Sequence, residues 1–288
     1  RRDYADIFCT TAEGIGGKRA VEWGLVDELV TASKMEQASL VRARLLAGTD
    51  DRSDRKGITL TPLNRRFSGD QINYGYLVVE INKENSSAAF TLYGPEEGCP
   101  GELEGVLAQG AEFWLLQLAR ELEDAILHLR TNRPDINCWI FKVVGESEIL
   151  NSYDSLLVDG VGNWFLEEIR LFWIRVLKRL DVTSRSLMAI VDTGSGFLGI
   201  LFELALACDR IYMLDDANVC SVQLTQVNFG RLPMANGLSR LANRFMGDRK
   251  ALAEVESVVK QKINARDAIS LGLVTSAPDE IDWDEEIR

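Results

Sequence analysis

Ser186-Leu187-Met188-Ala189-Ile190-Val191, then Gly194-Ser195-Gly196-Phe197-Leu198-Gly199, then Ile200 to Cys208: this stretch decides how the chain is read. A short apolar run of the kind a buried strand gives enters a glycine turn, and the turn opens a short apolar helix. A second strand, Arg210 to Leu214, follows, and after the acidic turn Asp215-Asp216 an extended run leads to Gly230-Arg231-Leu232-Pro233. The first N–H groups of a helix starting near Gly199 have no partner within the helix, and the helix dipole favours negative charge there. The start of that helix, near Gly199, is therefore a candidate anion or oxyanion site.

Glu203 stands in that helix among Phe202, Leu204, Ala205, Leu206 and Ala207, where a bare buried carboxylate is costly. Helical side chains lean toward the N-terminus, so its carboxyl is expected to hang over the turn with free amides. A proton-carrying acid beside amide donors suits thioester or enolate chemistry. An amphipathic helix with Glu203 in water is the other reading, and both stay open. A rival motif shares the stretch: Gly194, Gly196 and Gly199 fit G-x-G-x-x-G, with Asp215 or Asp216 near the place of a ribose-binding acid. Against an NAD(P)-dependent oxidoreductase, the helix has room for only about three turns, short of the ~30 residues of a dinucleotide-binding crossover.

The 288 residues suffice for one large or two small domains, and a net charge of −12 argues against nucleic acid or an anionic membrane as partner. No apolar stretch is long and uninterrupted enough to span a bilayer. Five cysteines without C-x-x-C spacing suit a reducing cytoplasm, and the single histidine, His128, argues against a His-rich metal site. His128 lies in a charged helical segment and reads as a surface or packing residue.

Ala20-Val21-Glu22-Trp23-Gly24-Leu25-Val26 is echoed by Ala268-Ile269-Ser270-Leu271-Gly272-Leu273-Val274. Both read as a helix ended by a glycine at the left-handed position, with an apolar pair packing back. The repeat implies two homologous units, of which only the tail of the first is present. Residues 1–48 are accordingly expected to be the tail of an upstream unit, 49–70 a charged linker, and 71–288 a second domain. Within it, Tyr76–Ile81 and Ser87–Tyr93 read as a hairpin, 94–110 as a loop, Phe113–Leu129 and Trp164–Leu180 as amphipathic helices, and Trp139–Val144 as a buried strand.

With the glycine turn, Glu203-Leu204-Ala205-Leu206-Ala207-Cys208-Asp209, Phe229-Gly230-x-Leu232-Pro233 followed by Arg240-Leu241, and the Ala268–Val274 ending, the chain resembles the crotonase (enoyl-CoA hydratase/isomerase) superfamily. That resemblance, from about Tyr76 to Ala277, implies an α/β ClpP/crotonase fold of repeated ββα units. It implies an acyl-CoA thioester whose carbonyl is held by two backbone amides, with glutamates moving protons. No covalently bound cofactor and no metal is expected, coenzyme A entering as part of the substrate. Position by position it places the first family glutamate on Glu203, the oxyanion amide on Ile200 after Gly199, and the second glutamate on Gln226. Asp181–Leu187 and Asp279–Trp283 are similar to carbon–carbon lyases that open an oxidised (2,3-epoxy or dihydrodiol) benzoyl-CoA in aerobic aromatic degradation. The alternative is a self-sufficient enoyl-CoA hydratase or isomerase.

Three departures from the pattern imply a catalytically degenerate copy with a structural role. Gln226 cannot transfer protons, Ile200 replaces a glycine, and residues 145–156, expected as a loop, lack the small-residue motif that supplies the second amide. The expected partners are an upstream crotonase-like unit of the same chain and a further copy of the protein, a dimer in the first instance.

Overall fold

The structure, a computed structural model, describes residues 2–48, 57–160, 162–216 and 219–288. It separates into two compact units, Arg1–Gly57 and Ile58–Arg288. The linker's charged pairs Asp50-Asp51 and Arg55-Lys56 lie outside the described residues.

In the first unit, helices α1 (Arg2–Thr10), α2 (Gly17–Glu22) and α3 (Met35–Ala47) bury one described residue, Ala20. Helix α3 follows a 3₁₀ turn, Ala32–Lys34.

The second unit is built on a seven-stranded sheet whose strands lie side by side in chain order. They are β1 (Arg66–Ser68), β2 (Gln71–Asn73), β3 (Leu77–Asn82), β4 (Ser87–Tyr93), β5 (Cys138–Val144), β6 (Ser186–Val191) and β7 (Arg210–Met213). The first four form an antiparallel meander and β4 to β7 run parallel. Strand β1 falls in the stretch read as linker, so the sheet begins earlier than the apolar pattern suggests; its three residues are all exposed, which leaves no hydrophobic alternation to read. This order lacks the reversal that a dinucleotide fold uses as its binding crevice, which removes the G-x-G-x-x-G reading.

Parallel neighbours need crossovers, and helices supply them. Between β4 and β5 run α4 (Leu103–Gln109), inside the stretch read as a loop, and α5 (Trp114–Asn132). The stripe Leu115, Leu118, Leu122, Ala125, Ile126 and Leu129 of α5 is fully buried. Between β5 and β6 run α6 (Ser147–Asp159) and α7 (Trp164–Asp181). Trp173 of α7 donates its indole N–H to the Leu115 carbonyl at 2.9 Å, joining the two long helices without leaving a buried donor open. The segment 145–156, expected as a loop, is mostly α6: Leu150, Tyr153, Asp154 and Leu157 share its buried face.

Helix α8 (Gly199–Leu206) crosses from β6 to β7 and is buried along its whole length. Asp209, just beyond it, accepts the Leu187 amide through Oδ2 at 2.8 Å, fixing the start of β7 beside β6. Beyond the sheet, β8 (Val222–Gln223) pairs with β9 (Lys262–Ile263), and short helices α9 (Arg240–Arg244), α10 (Arg249–Ser257), α11 (Ala265–Ser270) and α12 (Trp283–Ile287) follow. No helix among the described residues is long and apolar enough to cross a membrane.

Candidate active site

The first turn of α8 has the expected shape. Leu198 is extended and Gly199 has φ +50°, a left-handed angle that suits glycine. Its amides are not free, however. The Ile200 N–H donates to Asp154 Oδ1 of α6 at 2.8 Å, so a carboxylate of the chain itself sits where an external anion was expected. The fit is close: a Cβ added at Gly199 would stand 1.9 Å from Asp154 Oδ1. The glycine is thus matched to Asp154, which the sequence reading missed. Its signal is legible in retrospect as an acid on the apolar i, i+3, i+4, i+7 face of Leu150, Tyr153 and Leu157.

Asp154 is 2 % exposed, and its second oxygen, Oδ2, has no hydrogen-bond partner among the described residues. Burial pushes this carboxyl up to about 6, against the opposing pull of the Thr225 hydroxyl and the Ile200 amide.

Glu203 is 1 % exposed, which excludes the water-facing reading. Its oxygens are both engaged: Oε1 accepts from Asn228 Nδ2 at 2.9 Å, and Oε2 accepts from Arg240 Nη1 at 2.9 Å. Asn228 also donates to the Gly199 carbonyl at 2.9 Å, bracing the turn. Arg240 is itself buried; it forks onto Asp181 at 2.6 and 3.1 Å and donates to the Leu232 carbonyl at 3.2 Å. Burial pushes Glu203 up to about 7, with Arg240 and Asn228 pulling it down and Asp181 adding to the rise. The carboxyl that was to hang over open amides is one corner of a closed network of two acids, a guanidinium and an amide.

Gln226 does not join it. It is exposed on the 3₁₀ turn Gln226–Asn228, and Asn228, two residues on, makes the contact to Glu203. The Thr225 hydroxyl accepts the Val227 amide at 3.2 Å while Asn228 Oδ1 accepts the Thr225 amide at 2.9 Å, so the turn holds Asn228 inward. The strand end from which a second oxyanion amide would come is also engaged. Gly145 N–H donates to the Gly194 carbonyl at 3.4 Å and Gly196 N–H to the Val143 carbonyl at 3.0 Å.

A cavity of about 1380 Å³ opens at the carboxyl ends of β4 and β5. None of Gly199, Ile200, Glu203 or Gln226 lines it. Among the described residues its walls carry Glu96, Glu97, Glu112 and Glu146 against one guanidinium, Arg120. That field repels phosphates. Among the described residues no group of three or more His, Cys, Asp or Glu is arranged to hold a metal ion. His128 contacts Asn132 at 3.1 Å and packs on Phe67 at a ring distance of 5.4 Å, a surface role on α5.

No family model matches the chain. It is 40 % identical over 290 residues to the benzoyl-CoA-dihydrodiol lyase of Aromatoleum evansii, a match that covers 100 % of this chain and 52 % of that protein. The chain therefore spans about half the length of the curated relative it matches. Among solved structures it is similar to an enoyl-CoA hydratase/carnithine racemase from Magnetospirillum magneticum, with a TM-score of 0.52, 15 % identity, and 76 % of this chain and 73 % of that one covered. An enoyl-CoA hydratase/isomerase from Xanthobacter autotrophicus Py2 gives 0.50 and 16 %, with 75 % and 71 % covered. The fold of the second unit is crotonase-like.

Proposed function

We propose that the chain is part of a carbon–carbon lyase acting on an oxidised benzoyl-CoA thioester, 2,3-epoxide or dihydrodiol, and that its second unit is a non-catalytic copy of the crotonase-like body. The lyase half of this reading draws on the 40 % identity to a benzoyl-CoA-dihydrodiol lyase. The non-catalytic half is carried by one observation: the Ile200 amide already donates to a buried carboxylate of the same chain.

The chemistry explains why that contact matters. A thioester carbonyl gains negative charge as its neighbouring carbon loses a proton or a bond. Loss of one amide donor to that charge costs ~2.7–4 kcal/mol of barrier. Asp154 lies where the oxyanion would form, and an ionised Asp154 repels it. Glu203 would have to leave Arg240 and Asn228 to carry a proton, and Gln226 has none to carry. In this reading the buried network holds α8, the 3₁₀ turn and α9 together, and catalysis belongs to a second crotonase-like unit of the longer protein. Residues 1–48 would be that unit's tail, with 71–288 as the degenerate domain. Five free cysteines accord with a cytoplasmic setting.

The assay is ring opening of the oxidised benzoyl-CoA thioester, followed by loss of substrate. The longer protein is expected to turn over and the 288-residue chain alone is not; turnover by the chain alone would end the non-catalytic assignment. One observation favours a second reading, a self-sufficient enoyl-CoA hydratase: Glu203 is pushed up to about 7, a useful range for an acid-base group. Hydration of crotonyl-CoA by the chain, abolished by Glu203→Gln, would establish it.

A further inference from the structure

Two segments of this chain share one backbone design, and only one of them is covered. Helix α2 and helix α11 span equivalent positions, Gly17–Glu22 and Ala265–Ser270, and both end in a glycine at φ +70°, Gly24 and Gly272. Their closing bonds match one for one. Trp23 N–H reaches the Arg19 carbonyl at 3.0 Å, Gly24 that of Val21 at 2.9 Å and Leu25 that of Ala20 at 2.9 Å. In the later copy Leu271 reaches Asp267 at 2.8 Å, Gly272 reaches Ile269 at 2.9 Å and Leu273 reaches Ala268 at 2.8 Å.

The surroundings differ. Leu273 and Val274 are 0 % and 5 % exposed, while their counterparts Leu25 and Val26 are 44 % and 46 % exposed. In the later copy the chain continues along the open edge of β7. Thr275 N–H donates to the Ile211 carbonyl at 2.8 Å, Met213 N–H donates to the Ser276 carbonyl at 3.0 Å, and Tyr212 and Ser276 form a parallel bridge. This continuation covers an edge strand that would otherwise present unpaired groups. Asp27 and Glu28 hold the positions of Thr275 and Ser276.

We infer that residues 25–28 form half of a sheet-edge joint, whose other half is the open edge of a β7-type strand in a second crotonase-like body. A further copy of this chain does not fit the role, because its own β7 edge is already taken by Thr275 and Ser276. About half of the Aromatoleum evansii relative has no counterpart here, which leaves room for a body of that size. In the joint Leu25 and Val26 enter the apolar layer beneath the sheet, and the Asp27 and Glu28 amides donate to the edge strand as those of Thr275 and Ser276 donate to the Ile211 carbonyl, at 2.8 and 3.3 Å. The inference rests on the reading of residues 1–48 as a tail.

The test is amide hydrogen exchange at Asp27 and Glu28, in this 288-residue chain and in intact Aromatoleum evansii lyase carrying residues 14–30 of this chain at the aligned positions. Both amides are expected to exchange freely in the chain alone and at least about tenfold more slowly in the intact chimera, as paired edge amides do. Leu25→Asp in the chimera should return both to the fast rate. Equal rates in the two proteins, or protection already present in the chain alone, would overturn the joint. Exchange is read without turnover, so failure here is separate from failure of the lyase assignment.

Discussion

The Ile200 amide donates to Asp154, a buried carboxyl whose charge depends on pH. Its carboxyl is pushed from an ordinary 3.8 up to about 6 in the folded chain. The folded state therefore holds the proton after the unfolded state has lost it. The stability contributed by this group is full below about pH 4 and is lost as pH rises through about 6, about 3 kcal/mol in all at 1.36 kcal/mol per unit. Asp154→Asn keeps the shape and the acceptor for Ile200 but cannot ionise. In urea titrations from pH 4 to 8, the difference between wild type and Asp154→Asn should grow in favour of the variant as pH rises; a pH-independent difference would show that Asp154 is not held this way. Arg240 gives the complementary case, since it neutralises two acids, Glu203 and Asp181, on which Arg240→Met would leave buried charge. Breaking one side of a buried pair costs ~3–5 kcal/mol. Glu203→Gln in the Arg240→Met background should recover part of that loss, which a double-mutant cycle by chemical denaturation would measure.

At the scale of the element, α8 was legible and its surroundings were not. The run Ser186–Cys208 reads as strand, glycine turn and helix because a six-residue apolar run, a cluster of glycines and a second apolar run follow one another, and the structure has β6 and α8 there. The closure of its first turn comes from residues 46 positions upstream and 29 positions downstream, Asp154 and Asn228, and no local pattern reports such contacts. Helix α6 was misread as a loop because the expectation there came from a small-residue pattern that this chain lacks. Its own spacing of Leu150, Tyr153, Asp154 and Leu157 is helical. Gly199 shows how tightly the two elements fit. Gly199→Ala places a methyl into the Asp154 carboxyl at an angle an alanine disfavours by ~1–2 kcal/mol. The substitution should cost clearly more than that in wild type, and only about that much after Asp154→Ala. Equal costs in both backgrounds, measured by thermal unfolding, would mean that the carboxylate is not the obstacle.

For the whole molecule, charge sets what it can take from solution. A net charge of −12 excludes no anionic ligand by itself, because a local cluster of cations can outweigh a distant field. At the cavity by the ends of β4 and β5, Glu96, Glu97, Glu112 and Glu146 face one guanidinium among the described residues, Arg120. Coenzyme A carries its phosphates on the part of the molecule remote from the acyl group, so its binding needs cations on such a wall. The four carboxylates supply the opposite field, and the Ile200 amide has no place left for the thioester oxygen. Calorimetric titration of the 288-residue chain with a non-reactive benzoyl-CoA analogue should therefore show no saturable heat up to ~1 mM, an affinity weaker than about −4 kcal/mol. Saturable micromolar binding that Glu96→Lys with Glu97→Lys does not strengthen would place the thioester elsewhere on this unit and overturn the expectation that it takes none.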